Sequence, residues 1–143
     1  MDTKKLEEIL PALNKLVLVL PECWGADTSS DSESWNMLNR PYGQCAVTAL
    51  IVQDYCGGKI VNSIVEIPEW GEKGKAVSHY LNQIEDVQID LTYHQFPEDT
   101  EVPKGVEKKK DFESTRDYVL SYEPTAKRYM LLKERVEREL AKF

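Results

Sequence analysis

Between Thr3 and Leu20 the apolar residues Leu6, Ile9, Leu10, Leu13, Leu16, Val17 and Leu20 recur at intervals of three and four. That spacing predicts an amphipathic helix, with Asp2 placed to cap its start. Pro11 conflicts with the pattern, because its ring meets the carbonyl of Glu7, and it predicts a kink or two short helices meeting there. From Pro21 to Tyr42 the periodicity is lost, and the polar run Ala26 to Ser32 reads as part of a long loop. A loop of this length, entering just ahead of the next element, suits a lid over a substrate; a flexible surface loop covering Ala26 to Ser34 fits equally.

After the breaker Pro41-Tyr42-Gly43, the segment Gln44 to Cys56 is apolar nearly all round and is stopped by Gly57-Gly58. A helix of that composition is buried in the middle of a domain, and Cys45 stands at its amino-terminal end. Beyond the glycines the period becomes two. Ile60 to Ile67 predicts a strand, Val77 to Ile84 and Val87 to Thr92 a hairpin about Glu85-Asp86, and Val102 to Val106 a short edge strand in which Pro103 forbids a central position. Glu113 to Leu120 reads as helix. Pro124 opens a last helix with Tyr129, Leu132, Val136 and Leu140 on one stripe, and Glu134 with Arg138 and Arg135 with Glu139 paired on its outer face. The order predicts an α+β domain, an antiparallel sheet packed on the buried Cys45 helix with flanking helices.

The chain has 143 residues, 41% hydrophobic and 30% charged, which fits one folded domain over 1–143. Its net charge of −7 argues against nucleic acid or an anionic membrane as partner, and the Lys108-Lys109-Lys110 run is bracketed by Glu107 and Asp111. The longest apolar run, Leu16 to Pro21, falls short of the ~18 residues of a membrane span. No signal-peptide pattern precedes it. Cys23, Cys45 and Cys56 are odd in number and irregular in spacing, which speaks for a reducing cytoplasm rather than a disulfide framework. A zinc site from these three and His79 lacks the paired short spacings that zinc ligation uses.

The candidate chemistry centres on Cys45. A thiol at a helix start lies near unpaired amide N–H groups and the positive end of the helix dipole, both of which favour thiolate. Such a nucleophile needs an imidazole base and a group to orient it. His79 stands in one strand of the expected hairpin and Asp90 among apolar neighbours in the other. With Glu85-Asp86 as a two-residue turn, Ile84 faces Val87, Asn82 faces Ile89, Leu81 faces Asp90 and His79 faces Thr92. His79 and Asp90 are then diagonal neighbours on one face, at a Cα spacing of about 7–8 Å. The alternatives are plain: Cys45 as a small buried hydrophobe, His79 as a strand histidine bonded to backbone, His94 as a loop residue, and Cys23 and Cys56 as packing residues.

At these residues the sequence resembles the small bacterial YunG-like proteins, taken as compact relatives of the papain-like and NlpC/P60-like cysteine hydrolases. The matching stretches are WGADTSS from Trp24, GQCAVTAL from Gly43, Val52 to Tyr55 with Gly57-Gly58, Ser78-His79-Tyr80 with Asn82, and Ile89-Asp90-Leu91-Thr92. The resemblance implies a cysteine-hydrolase fold with Cys45 as nucleophile, His79 as base and Asp90 as orienting acid. It places Gln44, Trp24 and Asn82 near the oxyanion or substrate. In the wider superfamily the oxyanion glutamine lies several residues before the cysteine, whereas Gln44 adjoins it, which makes the Cys45 N–H the better donor. The expected activity is thiol hydrolysis or acyl transfer on a small amide, ester or peptide, without metal or organic cofactor; the rival is a binding or regulatory domain that keeps the fold without turnover.

Overall fold

The computed structural model describes residues 3–143. Helix α1 (Lys4–Cys23) runs unbroken through Pro11, so the chain does not split into two short helices there. Pro11 and Glu7 both lie on the exposed side, so the Glu7 carbonyl that loses its partner is left to water while the opposite stripe is buried. That stripe is Ile9, Leu16, Val19, Leu20 and Cys23; Leu10 and Val17, expected on it, are about half exposed at 47% and 51%. Thr3 occupies the N-cap position, and the cap expected at Asp2 lies outside the described residues. Among the described residues no helix is long and apolar enough to cross a membrane.

Helix α2 (Cys45–Cys56) buries every residue from Val47 to Val52 and ends at Gly57, whose N–H donates to the Gln53 carbonyl. The sheet is antiparallel in the order β1 (Lys59–Ile67), β2 (Lys75–Ile84), β3 (Val87–Ile89). Alternation along β1 and β2 sends Ile60, Tyr80 and Ile84 against α2, in one core with α1 and the last helix. On the other face Val65 and Ile67 pack with Phe96, Trp70, Val77 and Val102. The sheet therefore separates a large core from a small one.

The hairpin register is the expected one where it forms, Ile84 opposite Val87 and Asn82 opposite Ile89. It stops at Ile89, so the pairs Leu81–Asp90 and His79–Thr92 do not form. The Val102–Val106 segment makes no strand; Val106 exchanges two backbone hydrogen bonds with Asn62 as an isolated bridge. Helix α3 (Thr115–Leu120) starts where the Ser114 hydroxyl accepts from the Asp117 N–H. Helix α4 (Glu123–Leu140) buries Tyr129, Leu132 and Val136. Glu134 pairs with Arg138 as expected, but Arg135 turns away from Glu139 to grip Asp27 and the Cys23 carbonyl.

That grip fastens one end of the polar loop. Thr28 and Ser29 are buried, the Ser29 hydroxyl donates to the Tyr42 carbonyl at 2.9 Å, and the Ser30 N–H donates to the Gly43 carbonyl at 2.9 Å. Tyr42 donates its phenol to Asp31. The loop is a bonded buttress for the start of α2. Gly43 makes this possible: its φ is +73°, and a Cβ there would lie 2.2 Å from the Ser29 hydroxyl and 3.0 Å from the Ser30 nitrogen. Gly57, with a similar φ of +75°, has open space around it. Gly57→Ala should cost roughly 1–3 kcal/mol from its backbone alone, at φ +75° and ψ −153°, whereas Gly43→Ala adds a clash to a positive-φ backbone and should cost roughly 2–4 kcal/mol with a displaced Ser29–Ser30 loop. Urea denaturation of the two variants measures the difference.

Candidate active site

Cys45 is the first residue of α2, partly exposed, with no side chain capping the helix start. Uncapped first-turn N–H groups and the helix dipole make this an electropositive place for a thiol. His79, from β2, is fully buried at 0% exposure. Its Nε2 lies 2.7 Å from Asp90 Oδ2. The edge of Phe96 covers the ring, centroids 4.9 Å apart at 73°.

Asp90 reaches His79 by a local turn and not across a strand ladder. Its Oδ1 accepts from the Thr92 N–H at 3.1 Å, with the Thr92 hydroxyl at 3.4 Å, an Asx turn that ends β3 and aims the other oxygen at the imidazole. Gln95 holds the turn in place. Its amide donates to Thr92, its Oε1 accepts from the Gly43 N–H at 3.3 Å, and its own carbonyl accepts from Asn39. The loop that carries the acid is thus tied to the residues just before Cys45.

His79 Nδ1 is buried without a hydrogen-bond partner of ordinary geometry among the described residues. The Cys45 thiol is nevertheless close enough to act on the ring. Burial alone would push the imidazole pKa down; the bond to Asp90, the approach of Cys45 and the charge of both overcome it and raise the value from 6.5 to about 9. A value near 9 favours the charged ring at neutral pH, with Nε2 held by Asp90.

The model of the YunG protein family matches residues 12–141. The chain belongs to the YunG family. The uncharacterized protein YunG of Bacillus subtilis strain 168 is 35% identical over 78 residues, 54% of this chain and 57% of that protein, so the match spans little more than half of either. No solved structure matches.

The other candidate residues of this chain have partners elsewhere. Gln44 is fully buried, its Nε2 donating to the Gly25 carbonyl at 2.9 Å while Oε1 goes unpartnered. The Gln44 donor is thus engaged away from solvent. Trp24 donates its indole N–H to Thr48 on α2 and lies 6.2 Å from the His94 ring, lining a cavity of about 370 Å³ that also touches Asp90 and Leu91. Asn82 donates to the Ala49 carbonyl at 2.9 Å inside the core, a tie between β2 and α2. Cys56 ends α2, eleven residues and about 16 Å of helix from Cys45. Among the described residues no three His, Cys, Asp or Glu side chains converge to hold a metal.

Thr92, Gln95 and Phe96 escaped the sequence reading as site residues. The Asp-x-Thr spacing of an Asx turn was there to be read in Asp90 and Thr92; Gln95 and Phe96 carry no comparable signal.

The raised His79 pKa ties stability to pH. Its folded-state value is above 6.5, so the stabilisation from the charged ring is present in full below about pH 6.5 and disappears as pH rises through about 9. Wild type should lose up to about 3 kcal/mol over that window from this group. Asp90→Asn should start less stable at pH 6 and lose much less, as urea denaturation at stepped pH would record.

Proposed function

We propose that this YunG protein is a thiol hydrolase or acyl transferase acting on an amide or ester bond, with Cys45 as nucleophile, His79 as proton carrier and Asp90 as the group that orients it. The observation that carries this reading is the division of the imidazole. Nε2 is committed to Asp90 at 2.7 Å, and Nδ1 is left without a hydrogen bond on a ring whose charge Cys45 stabilises.

The Cys45 sulfur, having given its proton to Nδ1, attacks the carbonyl carbon. The oxyanion that forms is met by the Cys45 backbone N–H. His79 returns the proton from Nδ1 to the leaving amine or alcohol as the carbon–heteroatom bond breaks, leaving an acyl-thioester. Water or an acceptor nucleophile then gives up a proton to His79, attacks the thioester and releases Cys45. Asp90 keeps Nε2–H in place throughout. The chain order Cys, His, Asp, with the thiol on a helix start and the histidine on an adjoining strand, is the reason for relating this site to papain-like and NlpC/P60-like hydrolases.

A second reading has one observation in its favour. Full burial of His79 suits a structural ion pair in a binding or regulatory domain that no longer turns over. Thiol reactivity separates the two. Burial raises the Cys23 pKa to about 11 and raises that of Cys56, which keeps both protonated at neutral pH. At pH 6 iodoacetamide should alkylate Cys45 at least about tenfold faster than either, and His79→Gln should remove that advantage. In a panel of fluorogenic amides and esters, Cys45→Ala should abolish turnover and Asp90→Asn should lower it about 10²–10⁴-fold. Equal, slow labelling of all three cysteines, with no turnover, would favour the binding domain.

A further inference from the structure

One face of the α2 start borders a cavity of about 380 Å³ that neither the proton relay nor the Asp90 loop uses. Ala46, the residue after Cys45, forms one wall, and Tyr80, the residue after His79, forms another. Tyr118 and Tyr122 close it from α3 and the turn into α4, with Val119 at the base. The cavity therefore lies against the first turn of α2 and against the face of β2 opposite His79. Electrostatics agree with that placement, since Tyr80 is pushed up to about 12 by burial, by Tyr118 and by Cys45.

Its lining has a definite chemistry. No charged side chain contributes, three phenol rings do, and the hydroxyls of Tyr118 and Tyr122 make no hydrogen bond among the described residues. The Tyr118 ring is held from behind, with Phe112 at 6.0 Å between centroids and the Lys108 ammonium 5.8 Å from the ring centre. A neutral pocket with aromatic walls, one of them held in place, and spare phenol donors favours an aromatic ring, which packs edge or offset against tyrosines. No charged side chain lines the cleft, and Lys108, the cation recorded against one of its walls, already sits over the Tyr118 ring. The other cavity beside the site, against Trp24, is also largely apolar, but Asp90 and His94 contribute titratable groups to its lining, which the tyrosine cleft lacks.

We propose that the Tyr80, Tyr118 and Tyr122 cleft is the specificity pocket of this YunG protein and takes a neutral aryl group attached to one side of the scissile carbonyl. The inference rests on Cys45 being the nucleophile, and it names the substrate class: amides or esters bearing a phenyl- or benzyl-sized substituent.

Two alkylating probes that differ only in that substituent test it on the full chain. N-methyl-chloroacetamide and N-benzyl-chloroacetamide are reacted with Cys45, and the second-order rates are read by mass spectrometry of the Cys45 peptide. The benzyl reagent should label Cys45 at least about tenfold faster than the methyl reagent and should saturate. Tyr122→Ala, at an exposed position, should bring the ratio of the two rates close to one. Ser121→Trp, which fills the cleft from its rim, should do the same. The ratio is unaffected by a general change in thiol reactivity. A ratio near one in the wild type, or a tenfold ratio that survives both substitutions, overturns the aryl pocket while leaving Cys45 as nucleophile. If the methyl reagent labels Cys45 no faster than Cys23 and Cys56, the nucleophile fails and the pocket assignment falls with it.

Discussion

An imidazole with no access to water keeps a charge only if a carboxylate is fixed against one of its nitrogens, and in this protein the Asp90 carboxylate does that for His79. Desolvating a cation is expensive, and the 2.7 Å bond to Asp90 is what reverses the sign of the effect. Holding Asp90 there in turn needs β3 to stop at Ile89, because one more rung of ladder would carry Asp90 into a strand pairing. The Thr92 contacts end the strand and turn the side chain. Gln95 then links the turn to Gly43, so that the acid, the imidazole and the entry to α2 form one bonded unit.

The second constraint is the close approach of backbone at the start of α2. Gly43 lies against Ser29 and Ser30, and the loop that precedes it is fastened at its far end by Arg135 and Asp27. This joins the amino-terminal half of the chain to α4, more than a hundred residues away, on the side of the molecule where Cys45 emerges. A thiol on a frayed helix end would sample many orientations; here the entry to the first turn is braced, as the proposed nucleophilic role of Cys45 requires.

Elements whose signal is local were legible in the sequence. The all-round apolar α2 with its terminal glycines, the period-two strands and the two-residue hairpin all follow from residues within a few positions of one another. The register of Asn82 with Ile89 came correctly from turn length alone. What was not legible depended on distant partners. Pro11 does not break α1, because burial of the stripe behind it outweighs one lost hydrogen bond on the wet side. Arg135 prefers a bidentate carboxylate and a backbone carbonyl across the fold to its neighbour Glu139. Residues 26–34 read as a lid or a flexible loop by composition, yet Thr28 and Ser29 are buried hydrogen-bonding groups. At the site, the choice of Cys45, His79 and Asp90 was open to inspection from residue type and order, and Asp90-x-Thr92 carried the local signal of an Asx turn; the Gln95 strut and the Phe96 cover depend on distant partners and appeared only with the structure.

Membership of the YunG family rests on nearly the whole chain, and the account of its chemistry rests on one ring. The central claim is that His79 is a buried imidazolium at neutral pH, held at Nε2 by Asp90 and stabilised by Cys45. Nitrogen-15 NMR of the histidine ring nitrogens, followed from pH 5 to 10, tests it directly. The account predicts that both His79 nitrogens stay protonated through neutral pH, with a midpoint near 9 that falls in Asp90→Asn and in Cys45→Ala. A His79 that is neutral at pH 7, with a titration that neither substitution moves, would contradict it.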